Sequence, residues 1–345
     1  RAPPPLMRMT PPRPLAGPFS LVSSAAMSFP LSDHFNGKTF FNPQHENRTW
    51  LDVLRWRRTS RPTLWPAHVP LTSQPPPPKP RGDDCVFTAI GHATFLVQTT
   101  RATFLTDPHF SEICGPFNRF GPRRVQPPGL PLAQLPSIDI ILLSHDHYDH
   151  CDLPTLRALA RAHDPVVITP LANAPLVRRA GLRRIVELDW WQSHSPDRHA
   201  DVTITLTPAR HWSNRLSGTR NARLWGGFFV RVASRSWWFA SDTGYDPTLF
   251  HDIRRRLGPP DVALIPIGAY EPRWFMAAQH CNPAEAVQIH RDVAARQSIG
   301  MHWGTWQLTD EGRDEPLRAL AAARCAAALP PQAFRTLEAG ESLLV

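Results

Sequence analysis

ILLSHDHYDHCDL, residues 141–153, places three histidines and three aspartates directly behind an aliphatic run. Read from Ile138, the segment IDIILL (138–143) has the near-continuous apolar character of a strand covered on both faces. Asp152 and Pro154 are residues expected at a helix start, and Leu153, Leu156 and Ala160 then fall on one side of that helix. The polar cluster therefore sits in a loop between a strand and a helix. In His145-x-His147-x-Asp149-His150, the alternate residues point one way if the loop stays extended, while His150 turns the other way. One loop can thus feed two adjacent metal ions. Imidazole and carboxylate suit zinc or another first-row divalent metal and leave room for water. Two such ions share and acidify that water.

A single loop cannot complete two coordination spheres, so further ligands are expected at the ends of other strands. His211 in LTPARHW follows the strictly alternating VTITLT (202–207). Asp242 in WWFASDTG follows SWWFAS (236–241), which reads as a hairpin partner of GGFFVRV (226–232) around Ala233–Arg235. His302 in SIGMHWG also follows a short apolar stretch, and DVALIPI (261–267) is another buried strand. Nearer the N-terminus, CVFTAI (85–90), TFLVQT (94–99) and ATFLT (102–106) read as short strands broken at Gly91-His92 and Thr100-Arg101. Asn282, Pro283 and Glu285 look like the cap, first turn and return acid of a helix running to about Arg296. Strands followed by a helix, twice over, predict two sheets with helices outside. His34, His45, His68, His163, His194, His199, His251 and His290 read as structural or surface residues.

Length and composition bound the rest. With 345 residues the chain can bury a full core. It is 19% charged, with no apolar stretch near the roughly 20 residues that a bilayer-spanning helix needs, so a soluble protein is expected. Lys and Arg exceed Asp and Glu by 38 − 29 = 9, which favours phosphates, anionic headgroups or nucleic acid as partners. Nucleic acid is set aside because no recognition module or aromatic-basic motif accompanies the charge. Five cysteines without C-x-x-C spacing argue against a disulfide framework and a zinc ribbon, and fit a reducing cytoplasm. Residues 1–30 are expected to be a disordered Pro-rich leader; the chain begins with Arg, and Met27 is an alternative start. Residues 31–84 form an N-terminal arm, ending in the extended linker SQPPPPKPRGDD (73–84). Trp50, Trp56 and Trp65 should pack that arm on the main domain, residues 85–345. A homodimer is left open.

The four-residue motif, with His211, Asp242 and His302 downstream, resembles the metallo-β-lactamase superfamily. A narrower resemblance rests on SDHFNGKTFFNP (32–43), GHATFLVQ (91–98), LTDPHF (105–110), HWSNR (211–215) and SDTGYD (241–246). It continues through IPIGAYEPRWFMAAQHCNPAEAVQIH (265–290) and HWGTWQLTDE (302–311). These segments are similar to the N-acylphosphatidylethanolamine-hydrolysing phospholipase D branch and its bacterial relatives, over about residues 31–325.

The resemblance implies an α/β fold of the four-layer αββα sandwich type and two zinc ions. One ion would take His145, His147 and His211, and the other Asp149, His150 and His302, with Asp242 bridging them. Asp107 would hydrogen-bond a ligand histidine and fix its tautomer. Asp242 and His280 would be the catalytic residues, His280 facing the substrate phosphate or assisting the leaving oxygen. Tyr270, Glu271, Arg273 and Trp274 are dense for a loop after a strand, and either shape a substrate mouth or simply pack. The activity implied is phosphodiester hydrolysis of a phospholipid, with peripheral membrane contact through the aromatic arm and Arg55, Arg57 and Arg58. A lactonase or other ester hydrolase is the alternative, since the same nucleophile attacks a carbonyl carbon. A diiron oxygen-reducing protein would carry Glu where His147 stands, and a protein using metal only as a staple would have no turnover to lose.

Overall fold

Short apolar segments between turns dictate strands, and in the computed structural model they pair into two seven-stranded sheets. The structure describes residues 29–43, 49–71, 74–215 and 218–345. The first sheet contains β1 (Val86–Gly91), β2 (Thr94–Gln98), β3 (Thr103–Thr106), β4 (Ile140–Leu142), β5 (Val166–Pro170), β6 (Ile185–Leu188) and β14 (Ser342–Leu344), in the order β14-β1-β2-β3-β4-β5-β6. The second contains β7 (Ser193–His194), β8 (Val202–Thr207), β9 (Gly227–Val232), β10 (Arg235–Phe239), β11 (Val262–Pro266), β12 (Gln297–Met301) and β13 (Phe334–Thr336), in the order β13-β12-β11-β10-β9-β8-β7.

Each sheet opens as an antiparallel meander and becomes parallel, β3 through β6 in one and β10 through β13 in the other. Parallel neighbours need crossovers, and helices supply all of them except that from β3 to β4, which carries only the single 3-10 turns Pro116–Asn118 and Leu132–Gln134. The helices are α2 (Leu153–Ala162) and α3 (Ala174–Arg178) on the first sheet, and α4 (Pro247–Leu257), α6 (Pro283–Asp292) and α7 (Glu315–Ala326) on the second. Two further helices, α1 (Trp50–Thr59) and α5 (Arg273–Met276), lie outside this scheme.

The period of two along a strand sorts the core into layers. Trp237 points between the sheets, meeting Phe87 and Phe104 edge-on with ring centroids 6.0 and 5.4 Å away. Its neighbour Trp238 points the other way, to Phe250 of α4 at 6.0 Å. On the first sheet Ile140 and Leu142 face the central seam, while Ile141 joins Leu156, Leu159 and Val177 beneath α2 and α3. Burying each Phe of the seam contributes roughly 1.5–3 kcal/mol relative to exposure. The result is the four-layer αββα arrangement.

Three local expectations change. β4 is shorter than 138–143, covering Ile140–Leu142; beyond it Leu143 N still donates to Ile168 O at 3.0 Å, and Ser144 N then turns to Asp107 Oδ1 at 2.7 Å. α6 ends at Asp292 instead of Arg296: Ala294 adopts φ +51°, and Gln297 N already donates to Asp261 O as β12 begins. Asp152 holds the cap position of α2, but its carboxylate makes no capping bond. It accepts instead from Ser111 Oγ at 2.7 Å, Thr155 Oγ1 at 2.5 Å and Asn118 Nδ2 at 3.0 Å.

The segment before β1 is held at several points. Phe29, Phe35 and Phe40 cluster against the core. Trp56 stacks on Phe275 at 5.0 Å, and Trp65 Nε1 donates to Glu311 O at 2.8 Å. The leader expected over 1–30 falls outside the described residues except for 29 and 30, as does His45. Among the described residues no helix is long and apolar enough to cross a membrane. All five cysteines are free, and burial pushes the Cys85 thiol up to about 11 and that of Cys151 to about 12, so both stay protonated.

Candidate metal centre

The proposed ligands gather where strands give way to loops. His145 follows β4, His211 follows β8, Asp242 follows β10 and His302 follows β12. Two of these exits turn sharply through left-handed backbone, at Ser241 (φ +58°) and His302 (φ +63°). The loop after β11 passes close by: a Cβ on Gly268 would lie 2.0 Å from His302 O, so only glycine fits there.

Two groups of donor atoms result. In the first, His145 Nε2 and His211 Nε2 lie 3.0 and 3.1 Å from His147 Nδ1. In the second, Asp149 Oδ2 lies 3.4 Å from both His150 Nε2 and His302 Nε2. Asp242 stands between the groups, with Oδ2 3.1 Å from His150 Nε2, 3.7 Å from His211 Nε2 and 4.0 Å from His145 Nε2, and Oδ1 3.2 Å from His302 Nε2. Donors about 2.0–2.1 Å from one tetrahedral ion stand roughly 3.3 Å apart, which is the spacing seen.

Tautomers agree with ligation. Asp107, fully buried, accepts from Ser144 Oγ at 2.5 Å and from His150 Nδ1 at 2.7 Å. Ser144 Oγ, its proton committed to Asp107, accepts from His145 Nδ1 at 2.8 Å. His211 Nδ1 donates to Gln279 O at 3.0 Å. The Nε2 atoms of His145 and His211 therefore turn lone pairs toward His147. His150 Nε2, His302 Nε2 and Asp242 Oδ1 are buried and make no well-aligned hydrogen bond, only charge contacts of 3.1 to 3.4 Å among themselves and with the other carboxylate oxygens, an arrangement that bound cations would resolve. The residues present thus fit a pair of first-row divalent ions.

Charge is distributed unevenly. Burial, against the pull of Asp149, pushes His147 down to about 4; against Asp242 it pushes His211 to about 3. Burial and the neighbouring His150 hold His145 well below its ordinary value. These three rings are neutral and available as ligands. In the other group, burial is overcome: Asp242 and Asp149 hold His150 well above its ordinary value and raise His302 to about 9. Asp149 and Asp242 stay well below the usual carboxylate range despite burial, chiefly through His150.

A cavity of about 380 Å³ opens over the cluster. His147, Asp149, Asp242 and His280 form its floor, and Val53, Trp56, Trp212, Phe275, Met276 and Leu308 give it apolar walls, with Arg220 at one side. The His280 ring lies 5.1 Å from that of His211 and 5.4 Å from that of His302; its Nδ1 has no partner, and burial lowers it to about 3. Tyr270, Arg273 and Trp274 do not line this cavity. Arg273 is engaged with Glu285 at 2.7 and 2.9 Å and donates to His280 O at 2.8 Å, while Trp274 lies beneath the Arg55 guanidinium at 4.6 Å. Tyr270 is buried.

Sequence reasoning passes over several residues that hold the cluster in place. His92 Nε2 is 3.1 Å from Asp149 Oδ2, and Asn42 Nδ2 donates to His211 O at 2.6 Å. Asp146 is buried and paired with Arg223 at 2.8 Å, and Arg215 donates to Asp146 O and Cys151 O, tying the motif loop down from beneath. His92 carries the same signal as His211 and His302, a histidine just past a strand; the others emerge only from tertiary contact.

A two-sheet sandwich whose strand ends collect an H-x-H-x-D-H loop, two more histidines and a shared aspartate defines a metal-dependent hydrolase of the metallo-β-lactamase fold. A β-lactamase superfamily domain model matches residues 102–303, and the chain belongs to that superfamily. It is 36% identical over 330 residues to N-acyl-phosphatidylethanolamine-hydrolyzing phospholipase D 1 of Caenorhabditis elegans, covering 89% of this chain and 92% of the relative. The mitochondrial N-acyl-phosphatidylethanolamine-hydrolyzing phospholipase D of Saccharomyces cerevisiae is 36% identical over 219 residues, 63% of this chain and 47% of the relative. Among solved structures, a metallo hydrolase of Ignicoccus hospitalis superposes with a TM-score of 0.57 at 19% identity, covering 76% of this chain and 98% of that one.

Proposed function

We propose that the protein is a binuclear zinc phosphodiesterase of the phospholipase D type, acting on an N-acylated phosphatidylethanolamine or a related phospholipid. The observation that carries this reading is the apolar cavity of about 380 Å³ set directly over a floor of histidines and carboxylates. Acyl chains can occupy such walls while a phosphodiester reaches the donors below. The two relatives named for this hydrolysis support the substrate class.

In this reading His145, His147 and His211 hold one ion, Asp149, His150 and His302 hold the other, and Asp242 spans both. When bound, the ions supply an acidified water as nucleophile and positive charge for the phosphate oxygens. Asp107, through Ser144 and His150, fixes ligand tautomers. Asp242 sets the separation of the two groups. His280, neutral in its buried site, orients the phosphate or the departing headgroup oxygen through the hydrogen bonds its ring can make. Water replaces the headgroup alcohol at phosphorus, leaving phosphatidic acid. Tyr270, Arg273 and Trp274 act one layer back: Arg273 braces His280 O and Glu285 behind the Phe275 and Met276 wall.

Residues 85–345 form the hydrolase domain in this reading, and residues 31–84 an arm that roofs the cavity through Val53 and Trp56. The same helix α1 exposes Trp50, Leu51 and Leu54 beside Arg55, Arg57 and Arg58. That combination suits a cytoplasmic enzyme resting on an anionic membrane surface while a lipid enters. Purified protein incubated with an N-acylated phosphatidylethanolamine should release phosphatidic acid and the N-acylethanolamine, identified by mass spectrometry. Turnover of a lactone panel with no cleavage of the phospholipid would establish the ester-hydrolase alternative instead.

A further inference from the structure

We propose that His92 is a positioning residue for the Asp149 side of the metal centre, holding the Asp149 carboxylate and the His302 backbone in register so that the second ion can bind. The proposal rests on the two-ion reading above. His92 lies in the turn between β1 and β2, where the pairing register shifts between Ala89 and Gly91. Such a bulge re-aims a side chain. Here it brings the ring inward with φ +56° and leaves it 5% exposed.

Two contacts then reach the same group of donors from one residue. His92 Nε2 lies 3.1 Å from Asp149 Oδ2, and since an ionised carboxylate only accepts, the imidazole donates. The carbonyl oxygen of His92 accepts from His302 N at 2.9 Å. His302 has φ +63°, so that bond restrains a backbone conformation that is otherwise unfavourable for a non-glycine residue. The ring is boxed in by His302 at 3.9 Å and by the edge of Trp306 at 5.0 Å, leaving it little freedom to turn away from Asp149. Nothing comparable links His92 to His145, His147 or His211. Its effect should therefore fall on one ion only.

The test is stepwise zinc uptake by the metal-free protein in competition with a chromophoric chelator, followed in parallel by cobalt absorption and by thermal unfolding of the metal-free form. Wild-type protein should take up two equivalents. H92L should keep the first and bind the second roughly 10- to 100-fold more weakly, the range for loss of a group that orients a ligand. H92Q, whose side-chain amide can place a donor near the lost Nε2, should regain most of that loss. If H92L does not fold in its metal-free form, H92M, also without a donor, replaces it. Second-equivalent affinity within threefold of wild type in the donor-less variant overturns the proposal, and so does H92Q binding as weakly as H92L. Wild-type protein that accepts a single equivalent overturns the two-ion reading itself, and is thereby distinguished from failure of the His92 proposal alone.

Discussion

Replacing Asp107 by asparagine isolates the polar term beneath the metal centre, because the two side chains have nearly the same volume and no cavity opens. Asp107 Oδ1 accepts from Ser144 N at 2.7 Å, and Oδ2 accepts from Ser144 Oγ at 2.5 Å and His150 Nδ1 at 2.7 Å. An amide has one accepting end. If its oxygen keeps the two donors on the Oδ2 side, its NH2 faces the Ser144 N–H, and a buried backbone donor loses its partner at a cost of about 1–3 kcal/mol. His150 also exchanges a charged acceptor for a neutral one, about 1 kcal/mol more. Burial pushes the Asp107 carboxyl up from its ordinary value against His150 and Ser144, so desolvation already offsets part of the charge. The total is roughly 2–4 kcal/mol, at the lower side of what breaking a buried ion pair costs. Urea unfolding of D107N and wild type at neutral pH, both with excess chelator, measures this directly. A difference under about 1 kcal/mol would mean that Asp107 is replaceable by any polar group of its size, and the tautomer argument built on it would fail.

Other expectations are independent of the substrate. W237A should lose roughly 3–5 kcal/mol by urea unfolding, whereas W237F should lose much less, since the Trp237 Nε1 it removes is buried without a partner. G268A should destabilise by about 1–3 kcal/mol and lower bound metal by elemental analysis, because the new methyl would overlap His302 O. His34 is gripped by Asp189 at 2.7 Å and Asp33 at 2.6 Å, and although burial opposes its charge, these partners raise it above 6.5. Its contribution is therefore complete below about pH 6.5 and fades as pH rises through the raised folded value. The stability gap between wild type and H34Q should shrink as pH rises above about 6.5; a gap that widens would refute the assignment.

The strands flanking the cluster were legible because their patterns are local. VTITLT coincides with β8, and the hairpin of β9 and β10 lies within two residues of GGFFVRV and SWWFAS. β14 is invisible by the same means. It consists of three residues, Ser342–Leu344, none of them buried, and becomes a strand only by pairing with β1, far earlier in the sequence. The end of α6 escapes local pattern for a related reason: Val293, Ala294 and Ala295 all favour or tolerate helix, and the stop comes from the need to start β12 beside β11.

The site divides along the same line. His211, Asp242 and His302 could be picked out because a ligand at the end of a strand leaves a signature within a few residues: an apolar run, then a donor. What fixes those donors does not. The Asp107–His150 bond joins residues 43 apart, His92–Asp149 spans 57, and Asn42–His211 spans 169. Asp107 in LTDPHF is reached only through the family resemblance, and His92 in GHATFLVQ has no role in that resemblance. A ligand set is thus a property of strand ends, readable one segment at a time, whereas the protonation and aim of each ligand belong to pairs of segments. This predicts where sequence reading should fail in any two-sheet metal centre of this type: at the residues that hold the ligands, while the ligands themselves are found.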